Sequence, residues 1–376
     1  ALANLKLSRL QYEWTFGQWS NALIGPISFL LGVFIVYCLN TGTRVRSIKE
    51  MHLIFSTSKV NEVKLFYIII ITFILYLIGY LIIYLVKGYI PIFALNAAAA
   101  RIDYFIFGIG LFILHMPIIV FFVFAYHLFV EGKKARKLIL KVVAFITSTT
   151  YLFLLQRYTL IMASVMVFTL LYYASRYIRF RTILLFAILG IFVFYSVATL
   201  RSGKIIQLVL YKTSLMKFSP EYAIFTEPYM YMVMNIENFV QAVSKLNYYT
   251  YGAYTFDWIF ALIQLKYPMK EYFGLVDNPF TIGSYNTHTF FWTFYRDFGL
   301  FGITIIPLIG GLLVGSIYYA MRRKPSIELI SFYSVMVFVM ALSFFINPLG
   351  FLWFVYIIAW IVIILKLTRI KNQVSE

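Results

Sequence analysis

Arg101, Arg157, Arg201 and Arg296 stand apart from the basic clusters of the chain, each beside an apolar stretch. A guanidinium is permanently charged and grips phosphate or carboxylate through two parallel N–H donors. One arginine at the end of an apolar helix has a simple role, its stem packed on the helix and its head in interfacial water. Four from distant parts of one chain suit a pocket in which at least two share an anion, because like charges converge only around a counter-charge. Four further side chains could take up a proton beside that anion. His288 comes first because free imidazole titrates near neutral pH. Glu237, Asp257 and Asp297 are the carboxylate alternatives. Asp297 has two other readings, an ion pair with its neighbour Arg296 or a favourable charge at the start of the next helix.

The elements that must position these residues follow from composition. Of 376 residues, 62% are hydrophobic and 12% charged, with a mean hydropathy of +0.86, which excludes a soluble domain with a solvated surface. Several stretches reach the roughly 20 apolar residues that span a bilayer as a helix, and none shows the ten-residue alternation of a barrel strand. The fold class is therefore an all-α polytopic membrane protein, residues 1–376 forming one integral membrane domain. Nine spans are expected at 20–39, 65–86, 105–130, 138–156, 158–175, 183–199, 299–320, 327–346 and 351–368. The chain opens on Ala rather than Met, which leaves room for a native start and further helices upstream. The single cysteine, Cys38, lies in an apolar run and excludes an internal disulfide, an iron–sulfur cluster and a thiolate zinc site. His52, His115, His127 and His288 are scattered and no paired-aspartate DxD motif occurs, so neither a metal nor another cofactor is expected.

The net charge of +18 reads as orientation rather than nucleic-acid binding. Arg44, Arg46, Lys49, Lys59 and Lys64 form one cluster; Lys133, Lys134, Arg136, Lys137 and Lys141 another; Arg176, Arg179 and Arg181, then Arg322, Arg323 and Lys324, then Lys366, Arg369 and Lys371 follow. With these spans every cluster falls on one face, which the positive-inside rule makes cytoplasmic. The lone arginines fall on the other face. That face also carries a long external segment, 200–298, too long to lack structure, with helices expected near 205–217, 228–246 and 256–267. Its Tyr254 and Trp258, with Tyr285 and Asn286 further on, could stack on and hydrogen-bond a sugar. An external basic pocket beside apolar helices suits an amphiphile with a phosphate headgroup and a lipid tail, such as a polyprenyl diphosphate sugar.

Four stretches carry a resemblance: GYIPIF followed by Arg101, QRYTL with Arg157, TLRSG with Arg201, and YNTHTFFWTFYRDFGLFG from Tyr285 to Gly302. Together they resemble the bacterial oligosaccharide repeat-unit polymerases of O-antigen and exopolysaccharide synthesis, a Wzy-like family. The resemblance implies a metal-independent membrane glycosyltransferase similar to those of the GT-C type. Such an enzyme moves a growing glycan from its lipid diphosphate carrier onto another lipid-linked repeat unit, at the external side of a bacterial cytoplasmic (inner) membrane. The implied partners are the undecaprenyl diphosphate-type donor and acceptor and membrane lipid, with a chain-length regulator and a flippase as further candidates, and no nucleic acid. An O-antigen ligase, similar in build, and a flippase for the same lipid-linked sugars are the alternatives.

Overall fold

A computed structural model describes residues 5–55, 60–175, 207–246, 248–275, 287–344 and 346–369, with 181, 182, 185, 188 and 190. The expected span 183–199 apart from 185, 188 and 190, the site candidates Arg201, Tyr285 and Asn286, and the basic residues Lys59, Arg176, Arg179 and Lys371 lie outside the described residues. The described chain is helical, and its only extended pairings are the isolated bridges Ser8–Met216 and Val60–Arg369. Among the described residues, four segments are long and apolar enough to cross a membrane: Phe16–Leu39, Glu62–Phe93, Gly110–Phe129 and Phe290–Arg323. Tyr158–Ala174, Ile327–Leu342 and Leu352–Thr368 are apolar but shorter, and Lys134–Leu152 completes the helices on expected spans.

The chain divides into two compact units. One comprises Ala1–Thr43, Gly203–Ser316 and Val339–Val355. Its helix pair shows how apolar helices associate when burial from water supplies little driving force: small residues let the backbones touch. A Cβ on Gly32 would stand 2.2 Å from the Leu308 carbonyl, and one on Gly311 would stand 2.1 Å from that of Phe29. Within Phe290–Arg323, Gly299 adopts φ 61°, ψ −142° and breaks the helix, a conformation open to glycine and strained for any L side chain. The break falls where the apolar run of 299–320 was expected to begin. Residues 290–298 thus form a separate, more polar piece.

The N-terminal segment ties the rest of this unit together. Arg9 N–H donates to the Leu215 carbonyl and Lys217 N–H to that of Leu7; the Tyr229 hydroxyl accepts from Leu7 N–H and donates to Gln11 Oε1. These bonds hold a continuous helical stretch made of Thr226–Tyr229, the π turn Met230–Met234 and Asn235–Lys245. The expected 228–246 helix matches it, and the π turn was not anticipated. Asp257–Leu262 and Lys266–Tyr272 replace the single helix expected over 256–267.

The second unit comprises Arg44–Ser202, Ile317–Phe338 and Tyr356–Glu376. Met116–Phe129 lies at its centre, packed against Glu62–Lys87, Lys134–Leu152 and Tyr158–Ala174, with Phe121, Phe122 and Tyr126 fully enclosed. The expected span 105–130 is interrupted: Gly110–Ile113 ends at Leu114–His115 and a new helix starts at Met116. Pro117 sits in the first turn of that new helix, where its missing N–H costs nothing. His115 is enclosed, its Nε2 2.7 Å from the Tyr356 hydroxyl and its ring packed against Tyr356 and Trp360.

Candidate anion site

In the first unit, the 290–298 helix and the loop at 248–256 are bonded together by main chain and side chain. Thr250 N–H donates to the Arg296 carbonyl and Tyr251 N–H to that of Asp297, each at 3.1 Å. The Asp297 carboxylate then closes the loop: Oδ1 accepts from the Thr250 hydroxyl at 2.5 Å and from Tyr254 N–H at 3.2 Å, and Oδ2 accepts from Thr255 N–H at 2.6 Å. Neither expectation for Asp297, a helix-starting charge or a partner of Arg296, describes this arrangement. It is a buried acceptor that organises the loop.

Arg296 points its charge back into the same loop. Nη1 donates to the Tyr248 carbonyl at 2.8 Å, and the guanidinium lies 4.2 Å from the Tyr248 ring centre. The Tyr254 hydroxyl is beside it; burial raises that phenol above its ordinary pKa, while Arg296 pulls it down. Arg296 is only 6% exposed, and its buried Nε has no hydrogen-bond acceptor among the described residues. No described carboxylate stands within ion-pair distance of it. A carbonyl and a ring face orient a guanidinium but do not neutralise it, and a buried charge without a counter-charge costs several kcal/mol. The arrangement is suited to receiving an anion.

The neighbouring polar groups have specific partners. Glu237 is fully buried; its carboxylate accepts from Trp14 Nε1 at 3.0 Å, Gln241 Nε2 at 3.1 Å and Lys6 Nζ at 3.5 Å. Asn235 Oδ1 accepts from the Thr287 hydroxyl, and Asn238 Nδ2 donates to the Thr287 carbonyl, so the helix carries His288 beside its polar face. Burial alone pushes the His288 imidazole down to about 4, which makes it neutral at pH 7, with Nε2 3.5 Å from the Thr293 hydroxyl. Asp257 is ion-paired with Lys266 at 2.7 Å. Trp258, the next residue of the same short helix, is half-buried.

Arg101 and Arg157 belong to the second unit. There Ile92 N–H donates to the Phe153 carbonyl and Gln156 Nε2 to the Arg101 carbonyl, which sets the two arginine-bearing segments side by side. Arg157 is buried at the N-cap of Tyr158–Ala174. A helix N-terminus already carries partial positive charge, so this position favours an anion and opposes a cation. Lys6, Trp14 and Thr250, which hold Glu237 and Asp297, escaped the sequence reading. Their partners lie from 47 to 231 positions away, and no local pattern marks such contacts.

Compared with known proteins, the chain matches no family model, no curated protein and no solved structure.

Proposed function

We propose that the protein is a membrane glycosyltransferase acting on polyprenyl diphosphate-linked oligosaccharides, and specifically a repeat-unit polymerase. The observation that carries the proposal is Arg296, a buried, oriented guanidinium with no described carboxylate beside it. In this reading the chain crosses a bacterial cytoplasmic membrane about nine times in a GT-C-like build, with Arg296 on the external side. The diphosphate sits against Arg296, and Tyr254 and Trp258 face the sugar.

The chemistry is a substitution at the anomeric carbon. The bond from that carbon to the diphosphate oxygen breaks with its electron pair going to the diphosphate, and a bond to an acceptor hydroxyl forms. Negative charge grows on the leaving group as oxocarbenium character grows on the sugar. A guanidinium fixed beforehand by Tyr248 meets that charge without reorganising. The hydroxyl proton passes to a base. His288, whose imidazole is neutral at pH 7, is the candidate base.

The test is reconstitution of the purified protein with a synthetic polyprenyl-diphosphate repeat unit in the presence of a chelator. A glycan ladder that disappears with Arg296→Ala supports the polymerase. Transfer of a single unit to a different acceptor identifies a ligase instead. An intact, competent substrate that only exchanges between leaflets contradicts the enzyme reading and supports a flippase.

A further inference from the structure

In the second unit, two basic segments far apart in sequence are locked together at the end of an apolar helix. Arg46 N–H donates to the Arg322 carbonyl and Arg46 Nε to the Arg323 carbonyl, both at 3.0 Å. Arg322 Nε returns a bond to the Arg46 carbonyl at 2.7 Å. These are main-chain acceptors, those of Arg322 and Arg323 at a helix end, so the lock neutralises no charge. It gathers Arg44, Arg46, Lys49, Arg322, Arg323 and Lys324. The neighbouring carboxylate, Glu50, forms a capping box with Ser47 and stands 3.6 Å from Arg44, whose side chain remains 91% exposed.

A second observation fixes the environment of this patch. Arg322 Nη1 donates to the Tyr318 hydroxyl at 2.6 Å. The Tyr318 ring meets that of Tyr333, which meets Tyr173, which meets Tyr172. A cluster of tyrosines one turn in from exposed basic residues is what the headgroup level of a bilayer selects. Like charges held at that level by a rigid lock attract anions that are themselves fixed in the lipid surface.

We infer that the Arg44–Lys49 and Arg322–Lys324 segments form a binding site for anionic phospholipid headgroups of the surrounding membrane. Arg44, Lys49, Arg323 and Lys324 meet the phosphates, while Arg46 and Arg322 hold the two segments in register. The inference does not depend on the transferase reading.

The test measures the melting temperature of the full chain in phosphatidylcholine liposomes with and without phosphatidylglycerol, and the lipid retained in native mass spectrometry. Phosphatidylglycerol should raise the melting temperature and be retained. The triple variant Arg44→Gln, Arg323→Gln, Lys324→Gln should lose both effects, retention weakening about fivefold per charge removed, whereas Lys134→Gln should keep them. If the triple variant does not assemble, Arg323→Gln alone takes its place and should show the single-charge loss. Equal dependence on phosphatidylglycerol in variant and unmodified protein overturns the inference. So does a melting shift reproduced by inorganic phosphate in phosphatidylcholine, which would mean a general anion site rather than a lipid one.

Discussion

The two compact units put their polar groups to different uses. In the second, most buried polar side chains are neutral and bond to one another or to main chain: Tyr76 to Thr147 and Thr150, Tyr151 to Thr159, His115 to Tyr356. Among the described residues of that unit, the buried Arg157 carries a charge. In the first, Glu237, Arg296 and Asp297 are all ionisable and all buried. The two carboxylates there each meet three donors, while the guanidinium meets a carbonyl and a ring and has the Tyr254 hydroxyl beside it, none of them charged. Satisfied buried charge holds a fold together, and unsatisfied buried charge is a cost that a ligand can offset. The contrast separates Asp297 from Arg296, its neighbour in sequence, by how fully each charge is satisfied.

The largest effect is expected on the satisfied side. Asp297→Ala removes the acceptor of two main-chain N–H groups and one hydroxyl and should lower stability by about 4 kcal/mol, read in chemical or thermal unfolding. Asp297→Asn should recover part of it. A variant that stays stable but loses turnover would break the contrast.

Arg296→Gln should do the reverse. Turnover should fall by about 10²–10³-fold, the size expected for losing one preorganised group at a developing charge. The melting temperature should hold or rise, since an uncompensated buried charge has gone. A clear drop in stability would make Arg296 a structural residue.

His288 sharpens the comparison through pH. Its imidazole titrates near 4 in the folded protein and near 6.5 in the unfolded chain, so between these values the unfolded chain binds more protons. Its contribution to stability is therefore complete above about pH 6.5 and declines as pH falls toward 4, by on the order of 3 kcal/mol. Unfolding measured at pH 7.5 and pH 5 should show the decline, and His288→Gln should flatten it. The same slope in both proteins would contradict the burial of a neutral imidazole.

The smallest effect is expected at Glu237. Glu237→Gln keeps an acceptor for Trp14 but leaves Lys6 facing an amide, a loss of about 1 kcal/mol. Turnover per folded molecule should be unchanged. A dead enzyme of normal stability would instead make Glu237 the base.

The helices were legible because an apolar run of membrane length has one outcome in the backbone. The positions of their interruptions, at His115, at Met230–Met234 and at Gly299, were less so, because they depend on the packing around them. Arg296 was legible as an isolated charge before an apolar run. The role of Asp297 was not, because its partners Thr250, Tyr254 and Thr255 are more than 40 positions away. Glu237 escaped in the same way, since its cation is Lys6, 231 positions distant.

The most direct test of the central claim is equilibrium binding of polyprenyl diphosphate to the purified protein and to Arg296→Gln, with chelator present and both proteins shown to be folded. The account predicts binding to the unmodified protein that weakens at least about tenfold in the variant, the loss of one charge-assisted contact of ~1.5 kcal/mol or more. Equal affinity in the two proteins would contradict it, and would leave the buried guanidinium without the anion it is taken to await.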